Sequence, residues 1–577
     1  MNLKDELVIS FQFMNMVLDS KVLMKCEELC VSYNIEPEEF VNVWCAYAAL
    51  NMYADAPTLE QLDVMEKKKL SKYNKDKSFN KTPVRTPKRT RNENVIQTPQ
   101  KQLDVEKNSH NDTVPPNSNV PQNHTDLSEP VSEPEVLDIS ISKHLSSTQE
   151  TTKYAERTNA LSVRVSIGRE DDFTINKNKQ VCVKHFNEND FLGTEAKYMY
   201  EVLGQQACSI SNITNEVGNA IIKKNNLTLS NDKSTKNYIG PIITYGRIFV
   251  DGKGHLNLQS IMLEGSMQLN GGHCVNLNVD KVPKVALFPG QVVAVKGKML
   301  SGNKLIAESI YSDVGLNLPL EPPVIEDHLR IIVATGPYTL NENFNYDPMR
   351  DLLNYVVDHQ PHVLILMGPF VDLNHPLLYV DMPERFDVFF ENLIESISAA
   401  LQDTPIEIVI ISSIKEAHHQ NIYPTPPYKT REKHQNIKFF PDPCVLKIDG
   451  LVLAATTVDS MYHIAKEELV TDTKSDTMSR LASHLIQQHS FYPIYPHSEL
   501  NVSDQLLESH GIMDCLPHLL ILPSTFRGFI RNINECVVLN PERLTRSNGG
   551  GAFADITISP GVTPSITNRI SCKILNI

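Results

Sequence analysis

Apolar residues recur along the chain with a spacing that changes from region to region, and each spacing predicts a different kind of structure. In residues 1–72 they return every three to four positions, as at Phe40 and Trp44, which is the pattern of amphipathic helices. Thr58 and Gln61 fit a capping box at the start of one of these helices. This region is therefore predicted to be an N-terminal helical bundle that serves as a docking domain.

Residues 73–155 show no apolar period. Pro, Asn, Ser, Thr and charged residues replace it, so this region cannot bury enough apolar surface to fold, and we expect a disordered linker. The charge changes sign along this part of the chain. Residues 66–101 hold twelve Lys and Arg against three Asp and Glu, whereas residues 102–150 hold two against nine. Block charges of this kind are typical of solvated tethers.

The basic half of the linker contains two kinds of regulatory signal, in and just beyond "KTPVRTPKRTR" (81–91). The candidate phosphorylation sites, each in a Thr-Pro-x-basic pattern, are Thr82, Thr86 and Thr98. Phosphate groups there would erode the positive charge of the block. The candidate residues of a nuclear import signal are Lys81, Arg85, Lys88, Arg89 and Arg91.

Short strand-like runs separated by glycine turns fill much of residues 156–317, as in "SIMLEG" (260–265) and "VVAVKGKML" (292–300). This pattern predicts a small β-barrel, and an OB-fold is the type we expect. OB-folds often bind single-stranded nucleic acid through basic grooves. Residues 238–313, however, hold only seven Lys and Arg against five Asp and Glu. A protein-binding barrel is therefore favoured, with a single-stranded DNA-binding protein as an alternative.

Residues 318–577 alternate continuous apolar strands with helical segments, which is typical of a sheet buried on both faces. The predicted strands are 329–336, 362–367, 406–413 and 518–524, with a hairpin over 445–459 that turns at Asp449-Gly450, and the predicted helices are 348–360 and 385–403. The whole chain is thus predicted to be a multidomain α+β protein whose last domain is a layered α/β sandwich.

Composition narrows the class of protein further. The 577 residues carry a net charge of −15, which argues against a surface that grips nucleic acid throughout. The ten cysteines form no CxxC pair, and Cys26 and Cys30 fit buried thiols better than metal ligands. The sequence shows no signal peptide and no apolar run near the ~18 residues of a membrane span, so we expect a soluble intracellular protein that does not bind membranes.

The segment "HVLILMGPFVD" (362–372) consists of a predicted strand and the loop that follows it, and this loop bears on whether the protein is an enzyme. Metal-dependent phosphoesterases end a strand with GDxxD, in which the first aspartate bridges two metal ions that activate water. Here Gly368 is followed by Pro369, which has no ligand atom, and only Asp372 remains. The loop that should read DxH instead reads Gly336-Pro337-Tyr338.

The third loop contains His418 and His419, and His463 follows a later strand. Three histidines and a carboxylate are able to hold zinc, but adjacent histidines rarely point both rings at one metal. We therefore predict an inactive phosphoesterase fold without catalytic residues, metal or cofactor. The alternative is an active metal-dependent phosphodiesterase or nuclease that uses Asp372, His418 and His419.

Several motifs resemble those of the B subunits of DNA polymerase alpha, the accessory subunits of the polymerase–primase complex. They occur in that family's order between about 240 and 577, as "GRIFVDGKGHLN" (246–257), "LFPGQVV" (287–293), "VATGPYT" (333–339), "LMGPFVDLNHP" (366–376), "EAHHQNIYPTPPY" (416–428), "SFYPIYP" (490–496) and "NPERLTRSNGGGAFADI" (540–556). Within these motifs, we expect "YPTPPY" (423–428) to be an extended surface loop and "NGGGAF" (548–553) to be a tight connection.

The resemblance implies a helical domain (1–72), a linker (73–155), an OB-fold (156–317) and an inactive calcineurin-like phosphoesterase domain (318–577). It implies a nuclear, non-catalytic subunit that binds the C-terminal domain of the polymerase alpha catalytic subunit, within a complex that includes the primase subunits. The N-terminal domain would contact replication initiation and replisome proteins, and any contact with DNA would be indirect or weak.

Overall fold

Not every residue has a described position. The computed structural model describes residues 4, 7, 11, 18–33, 40, 41, 44, 57–67, 153–168, 176, 179–230, 241–250, 254–300, 303–380, 382, 384–471 and 474–577. The chain divides into two units, Met1–Val136 and Leu137–Ile577, each of which is considered by itself. The Thr-Pro sites, the predicted import signal and the predicted linker up to residue 152 lie outside the described residues.

The helices and strands are labelled in chain order. The helices are α1 (Ser20–Tyr33), α2 (Leu59–Met65), α3 (Leu203–Lys224), α4 (Met267–Asn270), α5 (Asp347–His359), α6 (Phe386–Ala400), α7 (Ser460–Glu467), α8 (Thr477–Gln487) and α9 (Asp504–His510), with a 3-10 turn at Glu188–Asp190. The strands are β1 (Val163–Ile167), β2 (Val183–His185), β3 (Ile242–Val250), β4 (Ile261–Glu264), β5 (Cys274–Asn278), β6 (Ala286–Leu287), β7 (Val292–Leu300), β8 (Lys304–Tyr311), β9 (Leu329–Thr335), β10 (Val363–Met367), β11 (Glu407–Ile411), β12 (Ile437–Phe440), β13 (Cys444–Ile448), β14 (Leu451–Ala455), β15 (Leu469–Val470), β16 (Leu519–Ile521), β17 (Phe529–Ile533), β18 (Cys536–Asn540), β19 (Thr545–Arg546), β20 (Gly549–Gly550), β21 (Ala552–Ile558) and β22 (Ile570–Asn576).

The first unit contains α1 and α2, and its described apolar side chains share one buried cluster that includes Trp44. The predicted capping box is present: the Thr58 hydroxyl accepts from the Gln61 amide, and the Gln61 side chain accepts from the Thr58 amide. Cys26 and Cys30 are both buried, as predicted. Burial raises the pKa of Cys26 to about 12, so this thiol stays protonated and is a poor metal ligand.

The predicted barrel is present in the second unit, where β3, β4, β5, β8 and β7 close in that order. Inward-facing aliphatic side chains such as Ile248, Val293 and Leu305 fill it. Helix α3 packs along the outside, with Val217 and Ile221 against strands β3 and β7. The mixed α/β architecture with a closed barrel is therefore confirmed.

The rest of this unit consists of two sheets that pack face to face, with helices outside each. One sheet has the order β1-β22-β21-β9-β10-β11-β12, and the other has the order β17-β18-β16-β14-β13-β2. Alternate residues of a strand face opposite cores, as Ile331 faces the inter-sheet core while Ile332 faces the layer of α5 and α6. Helices α7, α8 and α9 cover the other sheet. Burial on both faces explains the continuous apolar strands in the sequence.

Two segments of the predicted barrel region pair elsewhere. Strand β1 pairs with β22 at the edge of the seven-stranded sheet, and β2 pairs with β13 at the edge of the six-stranded sheet. The sequence predicted both segments within the 156–317 domain, yet by pairing they belong to the sandwich. The chain thus passes through the sandwich, forms the barrel, and returns.

Barrel and sandwich are joined by hydrogen bonds that span their boundary. Gln488, which follows α8, accepts from the Val292 amide at 2.7 Å and donates to the Val292 carbonyl at 3.0 Å, so that it pairs with strand β7 as a neighbouring strand would. Strand β6 pairs with β15 across the same boundary. The Arg247 guanidinium of the barrel lies 4.0 Å from the ring centre of Tyr495 in the sandwich. These contacts hold the two parts in a fixed relationship.

Candidate functional site at the strand ends

The positions predicted to descend from a phosphoesterase site lie where three parallel strands end. Strands β9, β10 and β11 are parallel neighbours, so the loops that follow them emerge at one edge of the sheet. The Gly336 amide donates to the Met367 carbonyl at 2.8 Å, and the Gly368 amide donates to the Ile411 carbonyl at 2.9 Å. The carboxyl ends of parallel strands are where ligands bind in open α/β sheets. The loops singled out in the sequence therefore lie together at one edge of the sheet.

The first loop fills part of this edge with an aromatic ring. Tyr338 is fully buried, and its hydroxyl lies 3.0 Å from the Ala334 carbonyl oxygen and 2.9 Å from that of Met367. Its ring stacks on Phe370 with 4.9 Å between the ring centres. Burial holds the pKa of Tyr338 well above its usual value, so the hydroxyl remains a neutral donor.

The second loop is held by Glu416, which sequence reasoning quoted within the third loop but did not single out. Its carboxylate accepts from the backbone amides of Phe370 and Val371, each at 2.7 Å, and from the Tyr428 hydroxyl at 3.0 Å. The side chain is buried. A carboxylate with three such donors is stabilised where it lies and is committed to the protein rather than to a ligand.

Asp372, the aspartate predicted to remain from a GDxxD motif, has a local structural role. One carboxylate oxygen accepts from the Asn374 amide at 2.9 Å, an interaction typical of a turn-forming aspartate. Its backbone forms an isolated bridge with Glu416. Asp372 thus shapes the loop after β10.

The three candidate histidines form a neighbouring pair, His418 and His419, and a separate ring, His463. The His418 ring packs on Phe390 with 3.9 Å between centres, whereas His419 Nε2 lies 2.8 Å from the Pro426 carbonyl oxygen. His463 Nδ1 lies 3.3 Å from the Tyr492 hydroxyl. Burial lowers the pKa of His419 to about 4, so its ring is neutral at pH 7 and donates to the carbonyl. The ring centres of His418 and His419 lie 6.0 Å apart and both rings pack against Tyr428, whereas His463 packs against Tyr492.

In the part of the chain with described positions, no cluster of three or more His, Cys, Asp or Glu side chains has the arrangement needed to hold a metal ion. Nor does any helix there have the length and apolar character to cross a membrane.

The segment "YPTPPY" is a buried part of this site, so the expected surface loop was wrong. All six residues from Tyr423 to Tyr428 are buried. The Tyr428 hydroxyl accepts from the Ser413 amide at 2.8 Å while donating to Glu416, and Tyr423 lies 3.2 Å from the Thr456 hydroxyl. These polar partners make it possible to bury the segment. "NGGGAF" (548–553) contributes β20, the second strand of the β19–β20 hairpin, and the start of β21, in agreement with a tight connection.

Comparison with known proteins identifies related sequences over most of the chain. Three family models match in order: the N-terminal model of the DNA polymerase alpha B subunit over residues 5–72, the OB-domain model of the DNA polymerase alpha B subunit over 207–313, and the model of the DNA polymerase alpha/epsilon B subunit over 331–531.

Among individual relatives, the DNA polymerase alpha B subunit of Drosophila melanogaster is 28% identical over 616 aligned positions that span 100% of both chains. The Rattus norvegicus protein of the same name is 32% identical over 324 positions, 54% of each chain. That of Schizosaccharomyces pombe is 31% identical over 348 positions, which span 56% of this chain and 60% of its own. The chain belongs to the family of DNA polymerase alpha B subunits.

Proposed function

We propose that this chain is a non-catalytic accessory subunit of the DNA polymerase alpha–primase complex, in which it scaffolds the catalytic subunit and links primer synthesis to replication initiation. The main support for a non-catalytic role is the position of Glu416, whose carboxylate holds the loop after β10 by accepting hydrogen bonds from two backbone amides. A carboxylate used in this way builds a rigid loop rather than a metal centre.

We also propose that the sandwich is a calcineurin-like phosphoesterase fold whose metal-ligand positions have been vacated. Pro369 follows β10 after Gly368, and Tyr338 lies in the loop after β9, where the active enzymes carry ligands. The Pro426 carbonyl engages His419 and the Tyr492 hydroxyl engages His463, which supports the same assignment. The names of the relatives do not favour an active nuclease or a single-stranded DNA-binding protein.

The proposed partners are the C-terminal domain of the polymerase alpha catalytic subunit, the primase subunits within the complex, and replication initiation or replisome proteins that contact residues 1–72. The fixed junction between barrel and sandwich supports a scaffold role, because a binding surface that spans both parts keeps its shape. We place the contact with the catalytic subunit on this joint surface. The proposed site of action is the nucleus.

The linker is proposed to carry the regulation and the import signal. Phosphorylation at Thr82, Thr86 and Thr98 would weaken its positive charge. Replacing the three threonines with alanine should remove the cell-cycle phosphorylation of the linker, and an unchanged phosphorylation pattern would contradict this assignment.

A phosphodiesterase assay tests the absence of catalysis. Purified full-length protein is assayed with a phosphodiester substrate and manganese, alongside His418→Ala and a determination of bound metal. We expect no turnover above the buffer rate and no stoichiometric metal in either protein. Turnover by the wild type that His418→Ala abolishes, together with bound metal, would establish the active-enzyme alternative.

A further inference from the structure

A cavity lies where helix α3, the barrel and the segment after α8 meet, and the role proposed above does not use it. Its volume is about 50 Å³. A buried water molecule needs about 10–15 Å³ of such space, so the cavity has room for about four waters or for a single six-membered ring. Val217 of α3, Val292 of β7 and Leu507 of α9 form part of its apolar wall. Glu216 also lines it and is exposed, so the cavity opens to solvent beside α3.

Three side chains that line the cavity carry nitrogen atoms without hydrogen-bond partners among the described residues. Arg247 Nε is buried and has no such partner, although Nη2 of the same side chain pairs with Glu264. His497 Nε2 lies 2.9 Å from an Asp504 carboxylate oxygen, whereas its buried Nδ1 has no partner. His489 is only 9% exposed, and its ring makes no hydrogen bond within the described residues. Buried polar groups are nearly always paired in folded proteins, so three of them at one cavity point to a ligand.

Two of these groups pack against the same aromatic ring. The Arg247 guanidinium carbon lies 4.0 Å from the centre of the Tyr495 ring, and the centre of the His497 ring lies 5.2 Å from it. Arg247 Nε always carries a hydrogen, so it is a donor. Because a carboxylate only accepts, His497 Nε2 carries the proton toward Asp504, and Nδ1 of the neutral ring is an acceptor. The cavity therefore offers a donor and an acceptor beside one tyrosine.

The charges around the cavity favour a neutral ligand. Among the described residues that line it, Arg247 is opposed by the carboxylates of Asp504 and Glu216. Burial lowers the pKa of His489 to about 4, so this ring is neutral at pH 7. An anion would meet two carboxylates here and a cation would meet the guanidinium, whereas a neutral ring with polar edges avoids both repulsions.

We propose that this cavity binds a neutral, planar six-membered heterocycle that carries both an N–H and a carbonyl group, as a pyrimidine base does. Arg247 Nε donates to the carbonyl, His497 Nδ1 accepts from the N–H, and His489 pairs with a further polar atom of the edge. The apolar walls cover the faces of the ring, as in other small-molecule sites where a few polar groups fix the orientation. A ligand bound here contacts α3, the barrel and the sandwich together, so it stabilises the folded junction.

Titration of the full-length protein with uracil, followed by calorimetry and by saturation-transfer NMR, tests the proposal. We expect saturable binding of a single uracil per chain and a thermal unfolding temperature that rises with uracil concentration. Benzene lacks the polar edge and benzoate carries a charge, so each should bind at least about tenfold more weakly. Benzoate that binds as tightly as uracil would overturn the assignment of a neutral ligand.

Two substitutions test whether uracil occupies this cavity. His489→Phe keeps an aromatic ring but removes both nitrogens, so it should weaken binding by about tenfold or more. Thr214→Leu enlarges a lining side chain of α3 and should abolish saturable binding because it fills the cavity. The matched controls are His255→Phe and Ala207→Leu, at exposed positions that do not line the cavity, and both should bind uracil like the wild type.

Thermal unfolding without uracil separates a loss of binding from a loss of fold. His489→Phe breaks no hydrogen bond of the described structure, and leucine favours a helix more than threonine does, so both variants should unfold close to the wild-type temperature. The proposal would be overturned by absence of saturable binding to the wild type, by equal affinities in the wild type and both variants, or by a crystal grown with uracil that shows only water in the cavity. None of these results would bear on the subunit role.

Discussion

The Tyr428 hydroxyl donates a hydrogen bond to the Glu416 carboxylate at 3.0 Å, in a site from which both side chains exclude water. The same hydroxyl accepts from the Ser413 amide, so a chain of hydrogen bonds connects the loop after β11 to Glu416. From there two amide donors lead to the loop after β10. The loops after β10 and β11 are thus joined by the protein's own polar network.

Tyr428→Phe tests the contribution of the hydroxyl. The ring and its packing are kept, but the buried Ser413 amide loses its acceptor and Glu416 loses one donor, which should lower the free energy of unfolding by about 1–3 kcal/mol. Urea unfolding of the full-length protein measures the change. The control is Tyr379→Phe, since Tyr379 is 75% exposed and should change stability little. Equal effects of the two substitutions would contradict a stabilising role for the network.

Glu416→Gln tests the charge of the central acceptor. The amide retains one oxygen for the two backbone donors but turns an N–H₂ group toward them, so we expect a loss of about 2–4 kcal/mol. Glu432→Gln, at an exposed position, is the matched control. In the double variant with Tyr428→Phe, the loss of unfolding free energy should be smaller than the sum of the losses in the two single variants, because both substitutions break the same hydrogen bond. Strict additivity would show that the two residues act independently.

Asp442 gives a prediction about pH. Burial raises its pKa to about 7, against an ordinary value of 3.8. The folded state therefore binds this proton more tightly than the unfolded state does, and the stability it contributes is complete below about pH 4 and is lost as pH rises toward about 7. The free energy of unfolding of the wild type minus that of Asp442→Asn should fall over this range and be constant above it. A difference that does not change with pH would contradict the raised pKa.

Gln488→Ala tests the junction between barrel and sandwich. The substitution leaves the amide and carbonyl of Val292 without their partner, in a site where Gln488 is only 2% exposed, so a loss of about 2 kcal/mol or more is expected. Gln505→Ala, on the exposed side of α9, is the control. Thermal unfolding should show that the barrel and sandwich transitions separate in Gln488→Ala. A single unshifted transition would mean that the junction does not depend on this side chain.

The sequence predicted those elements whose apolar pattern is strong. The strand predicted over 329–336 is β9, the helix predicted over 348–360 is α5, and the hairpin turns at Asp449 and Gly450, which have φ angles of 47° and 86°. In these elements, the apolar residues that are buried on one or both faces lie close to one another along the chain, so the segment itself predicts its structure.

Helix α3 was missed because its buried face is weakly apolar. Ser209, Ser211, Thr214 and Gly218 all lie on that face, and such residues carry little periodic signal and low helix propensity. Gly218 is needed there, since a Cβ atom would lie 2.3 Å from the Tyr245 ring. The requirement comes from the barrel, so this segment alone could not reveal it.

The contacts at the strand ends were not predicted from the sequence. Pro369 and Tyr338 suggested that ligand atoms are missing there, but no neighbouring residue indicated that Glu416 holds the loop after β10. Glu416 binds amides 46 and 45 residues earlier in the chain, and β1 finds its partner strand near residue 570. Such partners become visible only when the chain is folded.

The most direct test of the accessory-subunit role is a pull-down of the tagged full-length chain from nuclear extract, with quantitative mass spectrometry of the bound proteins. The proposal predicts recovery of the polymerase alpha catalytic subunit and the primase subunits in amounts equal to the tagged chain, and resistance of this complex to moderate salt. Recovery of the tagged chain without the catalytic subunit would contradict it.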